Sequence, residues 1–148
     1  MKAGIDYIGV SVGAFIINDE GDVLLVKRSQ NAKNEKGKWE APGGAVEFGE
    51  KLEDAIRREM KEELGIEIEI LTQWVAKDHL LADENQHWVP TTFLVKIKGE
   101  QKPQIMEPHK HDAMGWFALN NFPSPLSVIT QIDKKGYEEY LSLLRTTT

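Results

Sequence analysis

Apolar and polar positions along this chain switch between a strand-like and a helix-like period, and the elements follow from where they switch. Tyr7 to Ile17 is rich in Val, Ile and small residues and reads as a buried strand. The turn signal Asn18-Asp19-Glu20-Gly21-Asp22 separates it from a second apolar run, Val23 to Val26, so the two are expected to form a hairpin. Ser29 to Lys38 is polar and is expected to be a mobile loop. Trp39 to Pro42 is a short extended piece that ends at Pro42-Gly43-Gly44. Glu50 to Leu64 carries the strongest helical period. Glu50, Glu53 and Asp54 lie in its opening turns, and Gly65 follows where a left-handed cap is wanted. Ile66 to Val75 reads as a strand and Asp78 to Gln86 as a polar loop carrying His79. His87 to Ile97 is a further strand, in which Pro90 marks an edge or a bulge. Gly99 to Asp112 reads as a loop and Met114 to Leu119 as a short strand. Leu126 to about Leu144 is helical in pattern with a break near Gly136, and Thr146 to Thr148 reads as a frayed end. The order predicts one mixed α/β domain over residues 1–148, with helices packed on a sheet.

Length and composition agree with a single core: 148 residues, 41% hydrophobic and 28% charged. There are no cysteines, which excludes a disulfide framework, thiolate zinc sites and a cysteine nucleophile. The net charge is -6, so a duplex nucleic acid is not an expected partner, because phosphate neutralisation needs clustered cations. A nucleotide remains open as a substrate, since bound metal ions supply positive charge. The N-terminus lacks the pattern of a signal peptide, and no stretch approaches the roughly 18–20 apolar residues of a membrane span. A cytoplasmic location without a membrane partner is expected.

The chemistry concentrates in the helix. On a helical wheel at about 100° per residue with Leu52 at zero, the apolar residues Leu52, Ala55, Ile56, Met60 and Leu64 span about -60° to about +120°. Glu59 falls near about -20° and Glu63 near about +20°, inside that arc, while Glu62 sits near its edge at about -80°. Asp54, Arg57, Arg58 and Lys61 take the opposite side. An acidic helix is ordinarily a solvated face, but two of these carboxylates point towards the body of the protein. Burying them unpaired costs several kcal/mol, so something must offset it. Protonation, a buried arginine or a divalent cation would each do so. Hard oxygen ligands on a rigid helix suit Mg²⁺ or Mn²⁺. Gly43-Gly44, after a proline, lets the backbone turn sharply and approach a ligand closely.

Gly44, Glu50, Arg58, Glu59, Met60, Glu62, Glu63, Gly65 and Ile66 stand at the spacing of the Nudix box, and the chain resembles that family. Met60 departs from the usual Ile, Leu or Val but fills the same apolar role. Trp39 before Pro-Gly-Gly and the Gly115-Trp116-Phe117 strand also resemble the family. The resemblance implies an α/β/α sandwich with a mixed sheet, the box helix and a C-terminal helix. It implies hydrolysis of a nucleoside diphosphate linked to another moiety by water attack on phosphorus. Glu59, Glu62 and Glu63 would ligate Mg²⁺ or Mn²⁺, joined by the carbonyl of Gly43 or Gly44. Glu50 would support the site and Arg58 would orient the glutamates. Glu59 is the expected base, with Glu62 and residues outside the box as alternatives.

The family's marks for ADP-ribose, dinucleoside polyphosphate and NADH-type substrates are absent: Leu81, Ala82, Asp83 and Glu84 stand in their place. Glu47-Phe48-Gly49-Glu50 and Glu107-Pro108-His109-Lys110-His111-Asp112, followed by Trp116-Phe117, resemble the MutT-related nucleoside triphosphate diphosphatases. The expected reaction is thus a (d)NTP, oxidised forms included, to a monophosphate and pyrophosphate. The alternatives are an ADP-ribose or nucleotide-sugar diphosphatase and a nucleotide-sensing module that does not cleave. Trp88 is a candidate for stacking on a base, Arg28 beside Lys27 for reaching phosphates, and the alternating His109 and His111 for substrate or metal contact. Each has an ordinary reading too, as core aromatic, solvated strand end and loop histidines. Family habit makes a homodimer the expected assembly.

Overall fold

The hairpin at the start of the chain is the seed of the sheet. In a computed structural model, which describes residues 1–74 and 78–146, β1 (Gly9–Ile17) and β2 (Val23–Arg28) pair antiparallel at Ile16–Leu24 and Ile17–Val23. The Asn18 side-chain oxygen closes the turn, accepting from the amides of Glu20 (3.1 Å) and Asp22 (2.8 Å). Beyond the turn the two strands part, and the next two fill the gap. β3 (Trp39–Glu40) pairs with β2, and β4 (Gly43–Ala45) pairs with β1. Helix α1 (Leu52–Leu64) follows, and then β5 (Ile68–Trp74) and β6 (His79–Leu81). Both strands lie antiparallel along one edge of β7 (Gln86–Ile97), whose other edge runs parallel to β1. β8 (His111–Phe117) borders β2, and helix α2 (Val128–Thr146) ends the described chain. The eight strands form one mixed sheet.

Strand alternation sends neighbours to opposite cores. Ala14 and Ile16 of β1 join Leu24, Val26, Phe93 and Val95 beneath Ala55, Ile56, Met60 and Leu64 of α1. Phe15, between them, joins Val23, Leu25 and Leu94 beneath Tyr137, Tyr140 and Leu141 of α2. The expected α/β/α sandwich is therefore present. Among the described residues, no helix is long and apolar enough to cross a membrane.

Several expectations are corrected. The polar segment 29–38 is not a free loop: Ser29 and Glu35 are buried. Arg28 Nε donates to the Asn34 carbonyl (2.9 Å), Asn34 Nδ2 to Gln86 Oε1 (2.9 Å), and Gln86 Nε2 to the Lys33 carbonyl (2.9 Å). The segment is a loop tethered at these points, while Gln30, Asn31, Lys33 and Lys36 remain exposed. Segment 78–86 is a hairpin arm, in which His79 pairs with Trp88 and Leu81 with Gln86. β7 is central, not an edge, and Pro90 pairs with Ser11 of β1. Glu50 lies outside α1, whose first turn carries only Glu53 and Asp54. Val75, the expected end of the strand after α1, lies outside the described residues, as do Thr147 and Thr148.

Helix α2 runs unbroken through Gly136. The glycine is there for packing, since a Cβ on it would lie 2.9 Å from Trp74 Nε1. Gly136→Val should therefore destabilise the fold by about 1–3 kcal/mol through overpacking, despite valine's better helix propensity. Urea denaturation checks this; a neutral or stabilising result would mean that Gly136 serves flexibility instead.

Candidate active site

The apolar stripe of α1 carries two carboxylates into the protein, as its period demands. Glu59 is 6% exposed and Glu63 3%, whereas Glu62, one step round the helix, is exposed. β4 crosses directly over this stripe. A Cβ on Gly44 would overlap the Glu59 carboxylate, and one on Gly43 would overlap the Val12 carbonyl of β1. The glycine pair is thus a strand segment in close contact with a strand and a helix, not the sharp turn expected.

Arg58 gathers the acids around it. Its Nε and Nη2 hold the two oxygens of Glu50 at 2.7 and 2.9 Å, a bidentate fork. Nη2 also reaches the Ala45 carbonyl (3.1 Å), and Nη1 donates to Glu59 Oε1 (2.8 Å) and Glu62 Oε2 (3.2 Å). The fork holds the Glu50 carboxyl down at about 2, and the same contacts strengthen the hold of Arg58 on its own proton. Glu59 moves the other way: burial raises it, and Arg58 only partly opposes this.

Glu63 has no such partner. Burial pushes its carboxyl well above the usual range, and the charges of Glu59, Glu40 and Glu107 add to the rise. Its Oε1 is buried without a hydrogen bond, and its Oε2 lies 3.6 Å from Nε2 of His111, itself 4% exposed. Burial depresses the His111 imidazole to about 4, so at neutral pH this histidine carries no charge. Glu40, from β3, pairs with Arg28 at 2.6 Å. Glu107 comes from the segment before β8, which is pinned to the end of α1. There the amides of Gln104 and Met106 donate to the carbonyls of Leu64 and Glu63, both at 3.0 Å.

Glu40 and Glu107 were not among the acids that the helical wheel could select. The signals for them are the alternation of Glu40 with the core residue Trp39, and the single acid of the Glu-Pro-His-Lys-His segment.

The other candidates divide. Arg28 stands near this cluster, with Nη1 on Glu40 and Nε on the Asn34 carbonyl. His109 is exposed and His111 buried, so the two do not share a face. Trp88 is 9% exposed, donates Nε1–H to Gln86 (2.8 Å) and lies so close to Gly4 and Gly9 that a Cβ on either would overlap its ring. It is a core residue and offers no face for stacking.

The donor set fits a hard divalent cation: buried carboxylates crowded by like charge, one with an unsatisfied oxygen. Among the described residues, no three His, Asp or Glu side chains close into a finished cage. Ions of the Mg²⁺ kind do not need one, since they take one or two carboxylates and complete their shell with water and phosphate oxygens.

The NUDIX domain family model matches residues 8–140, and the chain belongs to this family. Over 86 residues it is 35% identical to a nucleoside triphosphatase NudI of Salmonella arizonae, covering 54% of this chain and 61% of that protein. The match thus spans about three fifths of the curated relative. A MutT NUDIX hydrolase from Burkholderia pseudomallei is 40% identical, with a TM-score of 0.80 over 88% of this chain and 98% of that one. A MutT protein from Methanosarcina mazei is 27% identical, with a TM-score of 0.66 over 76% and 78%.

The Arg58–Glu50 fork has a measurable signature. Because folding lowers the Glu50 pKa, its contribution to stability is present above the unfolded value and is lost as pH falls towards about 2. Carboxyl NMR should show Glu50 titrating near about 2 in the native protein. In Arg58→Lys, which cannot form the fork, it should move back towards about 4.3. An unmoved Glu50 in that variant would mean that the Glu47 amide, not the arginine, holds it down.

Proposed function

We propose that this protein hydrolyses nucleoside triphosphates to nucleoside monophosphate and pyrophosphate, with Mg²⁺ or Mn²⁺ as cofactor. The observation that carries the reading is the buried, unsatisfied carboxylate of Glu63 beside Glu59, on a helix that also presents Glu62. The likeness to a nucleoside triphosphatase and to MutT hydrolases supports the choice of substrate class. Glu59, Glu62 and Glu63 would hold the cation, together with the carbonyl of Gly43 or Gly44. The cation supplies charge neutralisation of the phosphates and polarisation of the reacting phosphoryl group.

The chain's own residues do the rest. Arg58, anchored on Glu50 and Ala45, fixes the rotamers of Glu59 and Glu62. Glu59 takes the proton of the attacking water, its carboxylate oriented by the Arg58 Nη1 hydrogen bond (2.8 Å). Arg28, already paired with Glu40, contributes a positive edge for phosphate oxygens.

Glu63→Gln separates this reading from that of an acidic helix with a purely structural role. Turnover of nucleoside triphosphates should fall by at least about 100-fold. The metal-free protein should be as stable as the parent or more so, because a neutral amide replaces a buried charge. Coupled phosphate release from dNTPs, oxidised dGTP, ADP-ribose and nucleotide sugars measures the first, and thermal unfolding the second. Unchanged turnover would remove Glu63 from the site. Cleavage confined to ADP-ribose or sugars would replace the substrate class, and binding without cleavage would point to a sensing module.

A further inference from the structure

His111 and Glu63 are a buried pair without a hydrogen bond between them. Their nearest polar atoms, Nε2 and Oε2, are 3.6 Å apart, beyond hydrogen-bond range. Their other polar atoms, Nδ1 and Oε1, are buried and have no partner either. Both side chains are about as enclosed as the core, at 3% and 4% exposure of their side chains. An imidazole and a carboxylate that face each other at this distance are placed as two donors to one ion would be. Donors each about 2.1 Å from a shared ion stand about 3.0–3.4 Å apart at octahedral to tetrahedral angles, so binding would draw this pair together by only a few tenths of an ångström.

We propose that His111 is a nitrogen ligand of the cation held by Glu63, and that the site therefore selects a transition ion of the Mn²⁺ kind over Mg²⁺. This rests on the metal-dependent reading above and adds a donor that the acidic helix does not contain. Mg²⁺ is a hard ion that favours oxygen throughout its shell. First-row transition ions accept an imidazole nitrogen, and their affinity for mixed nitrogen and oxygen sites rises along the series from Mn²⁺. The placement follows from the fold. β8 starts at His111, which pairs with Arg28 at the end of β2, on the sheet face that α1 covers. The segment before it is tied to the last turn of α1 through the carbonyls of Glu63 and Leu64. His109, two residues earlier, is exposed and serves as the internal control.

The test uses Mn²⁺ alone with the full chain and no nucleotide. Pulsed electron paramagnetic resonance of one bound Mn²⁺ should show coupling to a directly bound ¹⁴N. The coupling should vanish in His111→Asn and persist in His109→Asn. Competition should show Mn²⁺ binding the parent at least about tenfold more tightly than Mg²⁺, with the ratio shrinking to about threefold or less in His111→Asn. Labelling the parent with ¹⁵N-histidine changes the coupling pattern and identifies a histidine ligand without substitution, so a variant that fails to fold does not remove the test. Bound Mn²⁺ without nitrogen coupling, or coupling that survives in His111→Asn, overturns the proposal and leaves the metal reading standing. A parent protein that binds neither ion overturns both.

Discussion

Two carboxylates, Glu59 and Glu63, lie on the apolar face of α1, and the surroundings are organised around the cost of putting them there. A buried ion loses several kcal/mol of hydration even after the protein relaxes, and a second like charge one helical turn away adds to that. The helix can carry the load because Ala55, Ile56, Met60 and Leu64 on the same stripe are fully buried against the sheet. The glycines of β4 then let a strand pass close enough to Glu59 to exclude water from it. Enclosure by backbone and apolar side chains is what raises both carboxyl groups.

Arg58 divides the acids into two populations. Glu50, held by the fork, stays ionised to low pH and acts as a strut between segment 46–50 and the helix. Glu63 lies beyond the reach of Arg58 and meets Glu40, Glu107 and a neutral imidazole instead. Glu59 stands between, buried like Glu63 yet bonded to Arg58. The segment before the helix thus supplies an ionised anchor in Glu50, and the helix itself an intermediate carboxylate, Glu59, and an enclosed one without a hydrogen bond to its Oε1, Glu63. Such a spread of pKa values among neighbours is how a site assigns different roles to one residue type.

The elements legible in the sequence are those set by local pattern. The box helix, its Gly65 cap and the first hairpin follow from periodicity and turn chemistry, whereas the division into two cores is implied only by the family resemblance. The helical wheel placed Glu59 and Glu63 inward because the helix is regular. What the sequence hid depends on pairing between distant segments. Segment 29–38 reads as wholly solvated, yet Asn34 and the Lys33 carbonyl are tied to Gln86, some fifty residues away. Trp88 reads as available for stacking until the turn carrying Gly4 covers it. Gly136 reads as a helix break because no local rule reveals the Trp74 ring against it. His109 and His111 look alike in a string of six residues; only the start of β8 separates the buried one from the exposed one.

Segment 29–38 is joined to the acidic face of α1 by more than proximity. Arg28 donates Nε to Asn34, within the segment, and Nη1 to Glu40, which bears on Glu63. Asn34 is in turn latched to Gln86, and Gln86 to Trp88 in the core. On the far side, the buried carboxylate of Glu35 accepts from the Val128 amide at the start of α2 (3.2 Å). The segment is therefore tied both to the sheet and to the start of α2. A ligand that moved this segment would have to disturb the Arg28–Glu40 pair, and through it the electrostatic surroundings of Glu63.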